Sequence, residues 1–144
     1  MRFMGKKKNK KINPGQVIIP VGHPNPPEPH EIDTAVVLAR HFQCTVEFLI
    51  PVDDFMRKTA DISMLGTDWE LKSPTGASRA TVGNQFRRST KQARNIVIDT
   101  RRTPLEYNTI EKTVIFEMKN RPSMKKIHRI ILIDKNDKVV EIQK

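Results

Sequence analysis

The sequence predicts a single α/β domain: a mixed central β-sheet flanked by helices. Three observations lead there. Amphipathic runs with a period near 3.6 alternate with short β-rich runs, in the order α-β-β-β-α-β and then α-β-β. The 144 residues suffice for one sizeable core, and no repeat or linker interrupts the chain after residue 30. Apolar residues are 37% and charged residues 29%, which is globular but on the polar side.

Residues 1–27 are rich in Lys, Pro, Gly and Asn and read as a basic flexible arm, ordered in part around 16-QVIIPV-21. The domain proper spans 28–144. In 30-HEIDTAVVLARHF-42, Ile32, Ala35, Val36, Ala39 and Phe42 recur at threes and fours, as on the inner stripe of a helix. Strand 45-TVEFLIP-51 follows, then 61-DISML-65 and 67-TDWELKS-73, which read as a hairpin around a glycine. Ser78 or Thr81 caps a helix reaching about Ala93, with Val82, Phe86 and Ala93 inside. A strand at 95-NIVIDT-100 precedes a third helix over 109–121, marked by Ile110, Val114 and Met118. Strands 127-IHRIILID-134 and 138-KVVEI-142 close the domain around Asn136-Asp137.

Composition removes several classes. A lone cysteine, Cys44, permits neither an intrachain disulfide nor a thiolate metal cluster. The longest apolar runs are too short to span a bilayer, and the basic start MRFMGKKKNKK has no apolar stretch behind it to make a secretory signal. The chain reads as soluble and reduced, with no membrane partner. The net charge of +10 falls into two zones. One is the lysine-rich arm, which as a solvated tail needs no ligand. In the other, Arg79, Arg87, Arg88, Lys91, Arg94, Arg101 and Arg102 lie within 24 residues and are opposed only by Asp99. Such zones suit a polyanion.

The hairpin carries the chemistry. With a two-residue loop at Leu65-Gly66, opposed positions sum to 131, so Ile62 faces Trp69 and Asp61 faces Glu70. Side chains alternate along a strand. Ile62, Met64, Trp69 and Leu71 therefore fall on one face, and Asp61, Ser63, Asp68, Glu70 and Lys72 on the other. Directly opposed residues have Cβ atoms roughly 4.5–5.5 Å apart, so the Asp61–Glu70 pair is repulsive unless something lies between the two acids. A divalent cation such as Mg²⁺ (or Mn²⁺) takes a few carboxylate oxygens plus water and would relieve the conflict. Lys72, on the same face, would then help activate water or stabilise charge on a phosphorane. A solvated charged face explains the same spacing, and at this point both readings stand. A second Glu-x-Lys, Glu117-Met-Lys119, falls on a helix and reads as surface. His23, His30, His41 and His128 lack ligand spacing and read as solvated or structural.

An acid, a short gap and Glu-x-Lys on a hairpin within α-β-β-β-α-β resembles the PD-(D/E)xK nuclease superfamily and its restriction-endonuclease-like core. More narrowly, 61-DISMLGTDWELKSPTGAS-78 and 85-QFRRSTKQARNIVID-99 are similar to the C-terminal tRNase domain of CdiA-type contact-dependent growth inhibition toxins. The resemblance covers residues 28–144 and departs from the pattern at Ala60, where a Pro usually precedes the Asp. It implies metal binding by Asp61, Glu70 and the Leu71 carbonyl, a catalytic role for Lys72, and Glu31 completing the site from the first helix. It implies Mg²⁺ or Mn²⁺ as cofactor and RNA, most of all tRNA, as substrate. It further implies action in the cytoplasm after delivery within a larger toxin, and an acidic immunity protein as partner. Gln92 would point at the metal centre, as a polar residue of that helix does in related nucleases. Phosphate contacts are expected from Arg79, Gln85, Arg87, Arg88, Lys91, Gln92, Arg94, Arg101 and Arg102. A DNA endonuclease of the same superfamily and a non-catalytic nucleic-acid-binding module are the alternatives. Cleavage, chelator sensitivity and choice of substrate separate them.

Overall fold

The structure, a computed structural model, describes residues 15–51, 59–89 and 93–142. A seven-stranded mixed sheet runs through it: β1 (Gln16–Ile18), β2 (Thr45–Phe48), β3 (Ile62–Met64), β4 (Thr67–Lys72), β5 (Asn95–Asp99), β6 (Arg129–Ile133) and β7 (Val139–Ile142), neighbouring one another in chain order. Three α-helices join them: α1 (Pro29–Phe42), α2 (Arg79–Ser89) and α3 (Tyr107–Asn120). A 3-10 turn at Pro122–Lys126, not foreseen in the sequence, leads into β6. The expected elements all form, each within a few residues of its predicted bounds.

Parallel neighbours need a crossover, and each parallel pair has its helix: α1 between β1 and β2, α2 between β4 and β5, α3 between β5 and β6. The antiparallel pairs are β2–β3, the β3–β4 hairpin and the β6–β7 hairpin. Of the expected arm, residues 1–14 lie outside the described residues, while Gln16–Ile18 form the sheet's edge strand beside β2.

The sheet separates two cores. On one face α1 packs Ala35, Leu38 and Ala39 against Val46, Phe48, Ile62, Met64, Trp69, Val97 and Ile131. On the other, α2 and α3 pack Val82, Phe86, Ile110 and Val114 against Ile96, Ile98, Ile130 and Leu132. The buried stripe of α1 also takes in Thr34 and Val37, whereas Ile32 and Phe42 are only half-buried. Ser78 starts α2, its Oγ accepting the Thr81 N–H at 3.1 Å, as the capping pattern predicts.

The hairpin register is the expected one, Ile62 opposite Trp69 and Met64 opposite Thr67. Leu65 and Gly66 turn at φ 55° and 77°. Positive φ at both central positions is the primed turn of a tight hairpin, which suits Asn-Gly and penalises a branched side chain. Leu65 is also 42% exposed, so it gains little from burial there. Leu65→Asn should raise stability by about 0.5–1 kcal/mol, read as a higher urea midpoint with an unchanged slope.

Candidate active site

Asp61 and Glu70 meet where β3 ends against β4. The Asp61 N–H donates to the Trp69 carbonyl at 3.0 Å, and the Asp61 carbonyl accepts the Leu49 N–H at 2.9 Å. Asp61 Oδ2 accepts the backbone N–H of Leu71 at 2.8 Å, so a side chain completes the ladder at this end of the pair. The two carboxyls act on each other electrostatically. Lys72 Nζ lies 3.2 Å from Glu70 Oε2.

The polar side of the hairpin is covered at one position and solvated at another. Glu70 is 2% exposed, whereas Asp68 is exposed. By register Glu70 shares the face of Ile96 and Ile130, and Lys72 that of Ile98 and Leu132, beneath the layer of α2 and α3. Glu70 Oε1 is buried without a hydrogen-bond partner. Such an atom carries the full desolvation penalty of its charge. Burial first and the neighbouring Asp61 second push the Glu70 carboxyl up to about 8, despite Lys72. Burial likewise raises Asp61, although the Leu71 N–H works against it.

These atoms fit a divalent cation of the hard, oxygen-seeking kind. An orphaned carboxylate oxygen faces a second carboxylate, and an added positive charge would satisfy both. Among the described residues no group of three or more His, Cys, Asp or Glu side chains is arranged to hold a metal. The carboxylates available at this point are therefore Asp61 and Glu70, and a hard cation held by so few protein oxygens would complete its shell with water.

Glu31, expected to complete the site, is on the first turn of α1, where its Oε1 accepts the Glu28 N–H at 2.8 Å. It is still close enough for its charge to act on Asp61, and it lines the crevice that holds Lys72. His30, read as solvated or structural, lines that same crevice together with Ser73.

The expected phosphate-binding residues are dispersed. Arg87 binds Glu117 on α3 at 2.8 Å and also meets Asn84. Arg79 Nε donates to Thr113 at 3.4 Å. Gln85 is half-buried, Arg88 and Arg94 are exposed, and Lys91 and Gln92 lie outside the described residues. Arg101 does not extend an open groove. It grips Asp99 through Nε and Nη2 at 2.9 and 2.7 Å and reaches Asp137 at 3.0 Å. Arg102 is exposed and lines a cleft with His30, Asp33 and Asp99.

Glu117 corrects the sequence reading. It is 5% exposed rather than superficial, and it bonds Arg87 and Arg121. A helical period shows which residues share a stripe. It does not show that a neighbouring helix will bring a cation to bury a carboxylate in that stripe.

The fold and the site together define an α/β protein with two acids and a lysine at the open end of its β3–β4 hairpin, away from the turn. The chain belongs to the contact-dependent growth inhibition CdiA C-terminal domain family, whose model matches residues 58–139 and so includes Asp61, Glu70 and Lys72. No curated protein matches it. Among solved structures it is similar to a chain of the CdiA-CT/CdiI toxin and immunity complex from Burkholderia pseudomallei. The TM-score is 0.64 at 20% identity, over 90% of this chain and 100% of that one. At that identity the likeness is one of fold.

Proposed function

We propose that this chain is a metal-dependent endonuclease of the PD-(D/E)xK type that acts as a growth-inhibition toxin on RNA, with tRNA as the favoured substrate. The observation that carries the reading is the buried, unpartnered Glu70 Oε1 beside Asp61, with Lys72 3.2 Å from the other Glu70 oxygen. A structural role would call for a partnered or apolar residue there. Family membership supports the toxin role and delivery within a larger protein, and the fold neighbour, a toxin in complex with an immunity protein, supports an immunity partner, for which an acidic protein would suit the net charge of +10.

Asp61, Glu70 and the Leu71 carbonyl would hold the cation. When bound, it supplies Lewis acidity toward a phosphoryl oxygen and a more acidic water. Glu70 must give up its proton to serve, and Lys72 favours that loss by pairing with Oε2. Lys72 is half-buried, so its ammonium can orient the attacking water and offset the charge that develops as the water oxygen bonds phosphorus and the ester oxygen leaves. Asp61 is held in place by the Leu71 N–H. The half-buried Glu31 adds negative charge at the rim.

With Mg²⁺ or Mn²⁺, total tRNA should be cut by the wild-type protein. EDTA should stop the reaction, and Glu70→Gln or Lys72→Met should lower kcat at least about 100-fold, the scale of losing a main transition-state contact. Full activity in both variants would dispose of this reading. The same assay on duplex DNA decides between the RNA and DNA substrates.

A further inference from the structure

Next to Asp61, on the side away from Lys72, a recess of about 270 Å³ opens between the segment before α1 and the end of β2. Small-molecule pockets begin at roughly 300 Å³, so this one has room for a single flat ring system and not for a run of nucleotides. Pro26, Pro27 and Pro51 line it. The acidic side chains on it are Glu28, Glu31 and Asp61, and its described lining contains no Lys or Arg. Glu31 also lines the crevice that holds Lys72 and His30, so the two spaces adjoin across one side chain, one of them acidic and proline-walled and the other cationic.

The wall is fastened. His23 Nδ1 accepts the Asn25 N–H at 3.2 Å, which leaves its Nε2 to donate to the Leu49 carbonyl at 3.0 Å. This links the segment before α1 to the residue just past β2.

We propose that this recess receives one unpaired nucleobase of the nucleotide beside the scissile phosphate, so that the protein selects single-stranded or extruded nucleotides at the cut. The inference rests on the nuclease reading above and adds its specificity site. Proline rings supply flat apolar walls for the base, and the charge pattern leaves its phosphate on the Lys72 side. Carboxylates accept hydrogen bonds from exocyclic amino groups. The Glu28 carboxylate at the rim, with a side chain 73% exposed, therefore favours adenine, cytosine and guanine over uracil.

Binding can be measured without turnover, using Glu70→Gln protein and the fluorescence anisotropy of a short single-stranded RNA in which one abasic nucleotide is walked along the sequence. One position should stand out, with affinity about tenfold lower when its base is missing, the scale of one stacked base. Cytosine should bind more tightly than uracil at that position, and Glu28→Gln should narrow the difference. Asn25→Trp, a change at an exposed position that fills the recess, should weaken the intact RNA and erase the positional effect. An equal effect at every position, or unchanged binding by Asn25→Trp, would overturn the inference. If wild-type protein with Mn²⁺ fails to cut RNA while the positional effect persists, the nuclease reading fails and the base site stands. If it cuts and no position matters, the base site alone is lost.

Discussion

In metal-free buffer the wild-type protein should lose stability as pH rises from about 4.5 to about 8, and Glu70→Gln should lose much less, since of the two raised carboxyls only Asp61 remains. The sign follows from linkage. The folded protein holds a proton on Glu70 up to about pH 8, whereas the unfolded chain releases it near 4.5. Over that interval the native state binds more protons, so unfolding becomes easier as pH increases. Below pH 4.5 both states are protonated and the penalty is absent; above pH 8 it is fully present. A difference of this size corresponds to roughly 3–5 kcal/mol, a large share of the about 5–15 kcal/mol that holds a typical domain folded. A glutamine keeps the shape, carries no charge, and can donate its amide to Asp61. Thermal or urea unfolding in EDTA at pH 5, 7 and 9 should show the two proteins diverging with pH, the variant being the more stable at pH 9. Added Mn²⁺ should then raise the wild-type stability by about 2.7 kcal/mol at a hundred times its Kd and leave Glu70→Gln unmoved. Parallel pH curves for the two proteins would mean that Glu70 is not held protonated. A variant that responds to Mn²⁺ like the wild type would place the cation elsewhere.

The second buried acid behaves in the opposite sense. Asp99, 2% exposed at the end of β5, accepts the Thr34 hydroxyl of α1 and three N–H groups of Arg101, one of them from the backbone at 3.0 Å. Burial pushes its carboxyl up, but the Arg101 guanidinium, the Thr34 hydroxyl and the backbone donor outweigh it and hold the group below its ordinary value. Arg101 in turn reaches Asp137 in the β6–β7 turn, so one carboxylate ties α1, the sheet and the last hairpin together. Asp99→Ala removes the main acceptor of the Arg101 guanidinium, which keeps Asp137, and of the Thr34 hydroxyl, which keeps the His30 carbonyl at 3.0 Å, and should cost about 1–3 kcal/mol at pH 7. Because the folded value is depressed, this stabilisation is present above the ordinary aspartate range and fades as pH falls through the folded value. The gap between wild type and variant should therefore be full at pH 7 and shrink below about pH 4. A gap that stays constant down to acid would mean that the contribution is packing and not charge.

These two acids show where sequence reading stops. Both sit in β-rich runs flanked by basic residues. Only the contacts make one a buried acid paired through a single oxygen with Lys72 and the other a fully paired structural anchor. Arg101 and Arg102 look alike as neighbours in the sequence, yet one is spent on Asp99 and Asp137 while the other is exposed. The arginines of α2 look like one basic face until α3 supplies Glu117 and Thr113 as their partners. His23 and the prolines around it carried no signal as site residues. Their place beside Asp61 depends on the Leu49 carbonyl, 26 positions away in the chain.

What the sequence by itself determined is local. A two-residue turn and strict alternation set the hairpin register from Met64–Thr67 to Ile62–Trp69 and the opposite facing of Trp69 and Glu70, because each follows from chain geometry over about ten residues. The helical stripes and the element order were legible for the same reason. Only the tertiary structure decided that the polar side of the hairpin would be covered at Glu70. β4 became a central strand when β5 paired with it in parallel, and that pairing laid α2 over its acidic face. Burial of a charge is a property of what packs above it, and those partners come from distant parts of the chain.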